Sequence, residues 1–180
     1  PVPPTMTTLT VNEIFHSIQG ESTHVGRPCV FVRLTFCNLR CTWCDTEYAF
    51  FEGEPMSVDA ILGRVREYAC PLVEITGGEP LGQAGVHELM GRLCDEGFAV
   101  LLETGGSFDI ATVDPRVKRI MDLKCPGSGM ERKNLLSNLH HLRKDDELKF
   151  VIGDRADFDW SVEIIGRYAL VGRCPLLMSP

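Results

Sequence analysis

Three cysteines, Cys37, Cys41 and Cys44, fall within one short stretch, Phe-Cys-Asn-Leu-Arg-Cys-Thr-Trp-Cys-Asp-Thr, from Phe36 to Thr46. A CxxxCxxC spacing on one loop lets three thiolates converge on a single inorganic centre, and soft thiolates select zinc or an iron–sulfur cluster. A structural zinc site wants a closed set of four ligands, usually as two paired half-motifs. No second CxxC occurs, and His16 and His24 lie in a different pattern. Three ligands leave one position open, which is what chemistry at a metal needs. A [4Fe–4S] cluster with one differentiated iron is therefore preferred over zinc, and over three inert buried thiols. The other five cysteines are scattered singly among apolar neighbours and read as small buried hydrophobes.

Other unusual residues follow apolar runs. Thr76-Gly77-Gly78-Glu79-Pro80 comes after Ile75, Glu103-Thr104-Gly105-Gly106 after Leu102, and Lys124-Cys125-Pro126-Gly127 after Leu123. Glycines bring backbone close to a ligand, and a carboxylate such as Glu79 or a nearby carbonyl accepts from an ammonium group. Taken singly, each stretch reads equally well as a turn. Arg33 is odd for another reason: it interrupts the apolar run CVFVRLTF, so its charge lies within a core strand unless something pairs with it. By alternation it shares a face with Phe31 and Cys29. Lys124 and Lys149 are either solvated or line the same mouth.

The elements that must position these residues alternate along the chain. Strands are expected over Leu9–Ile14, Pro28–Phe36, Pro71–Ile75, Phe98–Glu103, Arg119–Leu123 and Leu148–Ile152, with a final apolar run over Cys174–Met178. Helical spacing marks Val58 to Val65 after a Ser57 cap, Val86 to Leu93 ending near Gly97, Leu135 to Leu142, and Phe158 to Ala169. Strand–helix–strand units with apolar strands imply a parallel sheet covered by helices, with the chemistry at the C-terminal strand ends. The fold class is α/β, a partial or closed barrel in one domain over residues 1–180.

Composition excludes several functions. With 18 Lys+Arg against 25 Asp+Glu the formal net charge is −7, and no basic run exceeds two residues, so nucleic acid is not an expected partner. No apolar stretch approaches the roughly 18–20 residues that span a bilayer, so no membrane is expected either. Pro1 to Thr8 carries neither the basic nor the apolar part of a secretory signal, so a cytoplasmic location is expected. The even count of eight cysteines would allow four disulfides in a secreted protein, but a chain of this length with amphipathic patterning needs no such staples.

CxxxCxxC followed by GGEP, each after a strand, resembles the radical S-adenosylmethionine (SAM) superfamily, in which three cysteines hold a [4Fe–4S] cluster whose fourth iron chelates SAM. The resemblance narrows with Val-Asn-Glu-Ile-Phe-His-Ser-Ile-Gln-Gly-Glu from Val11, the Gly26-Arg27-Pro28 triplet, Cys44-Asp45-Thr46 and Thr76-Gly-Gly-Glu-Pro80. Together these resemble the 7-carboxy-7-deazaguanine synthases of queuosine and 7-deazapurine biosynthesis, over a span from about Val11 to the end of the chain. The resemblance implies a partial TIM-like (β/α) barrel of the radical SAM type.

Carried over position by position, the resemblance implies that Ile18, Gln19 and Gly20 contact a pterin substrate, with Glu21 beside them. Arg33 would pair with the substrate carboxylate, a task that suits a planar bidentate donor. Thr76 would contact substrate and Gly78 SAM. Glu79, Glu103, Thr104 and the Cys125-Pro126-Gly127 loop would complete the SAM site. Cys37, Cys41 and Cys44 would hold the cluster, and Thr46 would be a Mg²⁺ ligand, an ion that takes few protein ligands. Trp43 shields the cluster or is simply buried. Family members continue beyond the equivalent of Pro180 with a segment that closes over the site. That segment is therefore truncated here, or its contact is supplied otherwise.

The implied reaction converts 6-carboxy-5,6,7,8-tetrahydropterin to 7-carboxy-7-deazaguanine. A 5′-deoxyadenosyl radical abstracts the C6 hydrogen, ring contraction assisted by Mg²⁺ follows, ammonia is lost and SAM is regenerated. An electron donor such as flavodoxin and a homodimer are implied partners. Two other readings are a radical SAM activating enzyme acting on a partner protein, and a zinc-binding interaction module.

Overall fold

The computed structural model describes residues 7–180; most of the stretch read for an export signal lies outside the described residues. Eight strands form one open sheet in the order β3-β1-β2-β4-β5-β6-β7-β8. They are β1 (Thr8–Ile18), β2 (Pro28–Leu34), β3 (Glu54–Ser57), β4 (Leu72–Gly77), β5 (Ala99–Thr104), β6 (Lys118–Asp122), β7 (Glu147–Val151) and β8 (Leu176–Ser179). Strands β2 and β4 to β8 are parallel and follow one another in order. This is the expected partial barrel, and it does not close.

Two departures from the expected parallel sheet occur at one edge. β1 pairs antiparallel with β2, Ile14 opposite Val32, and β3 pairs antiparallel with β1, Leu9 opposite Met56. The link from Ile18 to Pro28 is too short for the crossover that parallel neighbours need. β1 also runs four residues beyond the expected end at Ile14, because backbone pairing with β2 continues through His16 and Ser17 after the apolar alternation has stopped.

Helices α1 (Val58–Glu67), α2 (Val86–Asp95) and α3 (Arg155–Arg167) lie where the spacing places them. The Ser57 hydroxyl accepts from the Ala60 amide at 3.2 Å and the Asp154 carboxylate from the Asp157 amide at 2.9 Å, each satisfying an orphan donor of the first turn. Gly97, at φ +87°, ends the α2 segment as expected. The helix expected over Leu135–Leu142 is instead a short 3₁₀ turn, Leu136–His140. Asn138 is buried there, and its side chain accepts from the Ile110 amide and donates to the Gly106 and Phe108 carbonyls. Those bonds fasten the segment to the β5–β6 loop, in place of a regular helix across the β6–β7 connection.

The parallel strands have two unlike faces. Val30, Val32, Val73, Ile75, Leu102, Met121 and Phe150 face the helices and loops and are essentially inaccessible. Their alternates, Phe31 and Arg33, Glu74 and Thr76, Glu103, Ile120 and Asp122, and Lys149 and Val151, line a central cavity. Alternation along each strand thus gives an apolar outer layer and a polar lumen.

Candidate active site

The lumen has a volume of about 640 Å³. Its upper wall is built from loops at the C-terminal strand ends. Cys37, Cys41, Cys44 and Thr46 all line it, together with Gly78, Glu103, Thr104 and Lys124. The cysteine loop leaves β2 through Phe36, at φ +83°, and is fastened where the Phe36 carbonyl accepts from the Glu79 amide at 2.7 Å. Arg40 donates to the Cys37 and Leu39 carbonyls and lies 4.1 Å from the Phe50 ring centroid. On the far side, Thr42 donates from its amide to the Ser128 carbonyl and from its hydroxyl to the Gly127 carbonyl.

The glycines of the second motif are required by close approach. A Cβ on Gly78 would stand 2.3 Å from the Phe36 carbonyl oxygen and 2.8 Å from Cys37 Cβ. Glu79 is fully buried beneath this wall and does not line the lumen. Its carboxylate accepts from the Thr104 hydroxyl at 2.8 and 2.9 Å, the Gly105 amide at 2.8 Å and the Leu81 amide at 3.1 Å, so it braces one loop against the next. Burial pushes its carboxyl above the ordinary value.

Gln19, Gly20 and Glu21 also line the lumen, but from the opposite end. Because β1 runs against the parallel strands, its loop to β2 starts at their N-terminal ends and forms a floor. Thr23 of that loop donates from its amide and hydroxyl to Glu147, which also pairs with Lys118 at 2.5 Å. Glu147 and Lys118 begin β7 and β6, so the floor is tied across the barrel.

Charged groups meet between floor and wall. Lys149 donates to Glu21 at 2.5 Å and to Glu103 at 2.9 Å, and those carboxylates raise its pKa against the effect of burial. Burial by itself would raise Glu103, but the Lys149 charge and the Thr76 hydroxyl outweigh it and hold this carboxyl below its ordinary value. Glu74 goes the other way: burial and then the Glu103 charge push it up to about 8. Arg33 finds its partner on β1, donating from Nε to Glu13 at 2.8 Å. Lys124 bonds Asp122 Oδ2 at 2.8 Å, while Oδ1 of the same carboxylate is buried without a hydrogen-bond partner among the described residues.

Besides Glu79, which was expected at the SAM site and instead braces the loops behind it, four expected residues stand apart from the lumen. Ile18 is 65 % exposed at the end of β1. Cys125 is buried, with Sγ 3.4 Å from the Ser161 hydroxyl oxygen, and burial raises its thiol to about 11. Pro126 and Gly127 are exposed, and the Gly127 amide donates to Asp157. Glu74 and Asp122 were not anticipated, and Lys124 and Lys149 are now fixed in the lumen wall. The signal for Glu74 was the one that singled out Arg33, a charge inside an apolar strand.

The residues fit an iron–sulfur cluster with SAM. Three thiols share one wall, yet among the described residues no three Cys, His, Asp or Glu side chains gather tightly enough for a single metal ion. A zinc ion would need its sulfurs drawn in to about 2.3 Å. Cationic Lys124 favours the thiolate of Cys41, opposing the effect of burial, and the orphan oxygen of Asp122 awaits a donor.

A profile of the radical SAM superfamily matches residues 31–173. The chain is 48 % identical over 173 residues to the 7-carboxy-7-deazaguanine synthase of Koribacter versatilis, covering 94 % of this chain and 76 % of that one. To the enzyme of the same name from Chlorobaculum tepidum it is 43 % identical over 175 residues, covering 96 % and 80 %. The crystal structure of QueE from Escherichia coli shares the fold, with a TM-score of 0.79 at 22 % identity over 96 % of this chain and 83 % of that one. The chain therefore belongs to the 7-carboxy-7-deazaguanine synthases, radical SAM enzymes that work with a [4Fe–4S] cluster and SAM on a small molecule.

Proposed function

We propose that this protein converts 6-carboxy-5,6,7,8-tetrahydropterin to 7-carboxy-7-deazaguanine with loss of ammonia, using the lumen as its active site. One observation carries the reading: three thiols on the upper wall and the Gln19-Gly20-Glu21 turn on the floor line the same cavity. Cys37, Cys41 and Cys44 hold the cluster, and the strand-end loops with Gly78, Thr104 and Lys124 receive SAM beside it. When bound, cluster and SAM supply one-electron chemistry that removes a hydrogen from the pterin at C6.

The chain's own residues bind, orient and exclude. Arg33, steadied through Nε by Glu13 and lying 5.9 Å from the Phe15 and Tyr48 ring centroids, offers its guanidinium to the substrate carboxylate. Thr76, Gln19 and Glu21 contact the ring system. The floor loop and the apolar outer layer keep water from the reacting atoms. Thr46 would contribute to holding Mg²⁺, which would supply charge stabilisation for the rearrangement. An external electron donor such as flavodoxin, a homodimeric assembly, a single functional domain and a cytoplasmic location belong to the same reading. Family membership goes against the zinc-binding module, and the relatives' shared name goes against an activating enzyme for a partner protein.

The test is anaerobic reconstitution with iron and sulfide, then incubation with SAM, dithionite, Mg²⁺ and the carboxytetrahydropterin. Iron content, 5′-deoxyadenosine and deazaguanine are read together by mass spectrometry. Product that disappears in Cys41→Ala, and falls when Mg²⁺ is withheld, is the expected result. A brown cluster that cleaves SAM without forming product would overturn the substrate assignment.

A further inference from the structure

A carboxyl group in the middle of a barrel strand is costly unless it is bonded or protonated. Glu74 occupies that position on β4. It is 3 % exposed, its strand neighbours Phe31 and Leu101 are apolar, and its carboxyl faces the lumen. No role assigned above accounts for it. The Gln19 amide donates Nε2–H to its Oε2, and on the other side its carboxyl meets that of Glu103.

Gln19 is itself buried, and its other end shapes the floor. Its Oε1 accepts from the Glu21 amide at 3.3 Å, while its backbone exchanges bonds of 2.8 Å with Arg27 and Gly26. Gln19 therefore spans from the barrel wall to the turn, and the contact with Glu74 joins floor to wall from β4. The parallel tie is Lys149, which reaches from β7 to Glu21.

We propose that Glu74 is a positioning residue for the pterin reaction: from the centre of β4 it holds the Gln19 side chain, and through it the Gln19-Gly20-Glu21 turn, in the shape that receives the substrate ring. The inference rests on the reading of the lumen as a pterin site. Glu74 is the acceptor in this contact, a task that the carboxyl oxygen performs in either protonation state. The groups that face Glu74 are Cys29 on β2, Glu103 on β5 and Lys149 on β7. Glu103 already carries the negative charge that Lys149 balances, and a second charge on Glu74 would repel it and draw Lys149 away from Glu21.

The experiment is a double-mutant cycle on the reconstituted holoenzyme, with Glu74→Val, Gln19→Ala and the double variant. KM, kcat and the dissociation constant for the carboxytetrahydropterin by anaerobic equilibrium dialysis are measured, with iron content as a check on folding. Glu74→Val is expected to raise KM and the dissociation constant about tenfold in the parent, and to add little in the Gln19→Ala background, because the effect passes through Gln19. Glu74→Gln is expected to recover most of the loss.

Unchanged KM and binding in Glu74→Val, an equal penalty with and without Gln19, or no recovery in Glu74→Gln would each overturn the inference. A parent enzyme that neither binds nor converts the pterin overturns the functional reading, and this inference with it. A parent that turns over while the cycle shows no coupling overturns this inference alone.

Discussion

At the scale of the residue, this protein is governed by charges placed on strands that would otherwise be apolar. Arg33, Glu74, Glu103, Asp122 and Lys149 all point into the lumen, and each is made tolerable by a partner or by protonation. Arg33 is a planar donor held by one nitrogen, so Arg33→Lys keeps the charge but loses the two-pronged grip on a carboxylate. It is expected to raise KM for the pterin about tenfold with little change in SAM cleavage, read by steady-state kinetics beside 5′-deoxyadenosine yield. Glu74 makes a stability prediction with a definite sign. Its folded value of about 8 lies above the ordinary 4.5, so the folded state keeps a proton that the unfolded chain releases. Its contribution is most favourable below pH 4.5 and declines as pH climbs to about 8. The melting temperature of Glu74→Gln, relative to the parent, should therefore rise across that window and level off above it. Arg33 was visible in the sequence because a lone cation broke an apolar run. Glu74 sent the same signal, but a single acid between Val73 and Ile75 does not reveal that a glutamine from another strand end will reach it.

At the scale of the element, glycines and one buried aspartate bring separate loops into contact. Gly78→Ala would drive a Cβ to 2.3 Å from the Phe36 carbonyl oxygen. It is expected to cost about 3 kcal/mol and to impair cluster assembly, measured by denaturant midpoint and iron content. Asp157, 1 % exposed in the first turn of α3, accepts from the Gly127 amide at 2.8 Å and the Gly153 amide at 3.0 Å, and both glycines lie beside the Trp43 ring. Asp157→Ala leaves both amides without that partner, with an expected loss of about 2 kcal/mol and faster bleaching of the cluster in air. The strands and three helices were legible because periodicity and caps are local. The helix expected at Leu135 was not formed, because Asn138 bonds to a loop thirty residues away, and no spacing rule registers a polar side chain fastening distant backbone.

At the scale of the whole molecule, the open barrel is finished by its own reverse-running edge. The β1–β2 loop crosses the lower end and is pinned at Glu147 by Thr23 and Lys118. Burial alone would raise the Glu147 carboxyl; hydrogen bonds from Lys118 and Thr23 outweigh it, so the folded value lies below the ordinary 4.5. The stability it confers is present above pH 4.5 and is lost as pH falls through the lower folded value. Glu147→Gln should lower the melting temperature at neutral pH, remove that acid limb and loosen the floor, seen as faster amide exchange over residues 19–27.

The sequence by itself determined the strand-end loops, the parallel core and the thiol-bearing loop, because apolar periodicity, glycine and close cysteine spacing act over a few residues. Tertiary structure alone decided that Gln19 to Glu21 approach from below while the thiols line the upper wall. It also decided that Glu74 meets Gln19, that Lys149 bridges two carboxylates, and that Cys125 turns into the core. Those outcomes depend on which end of the barrel a short antiparallel link delivers its residues to, and on burial shared among strands far apart in the chain.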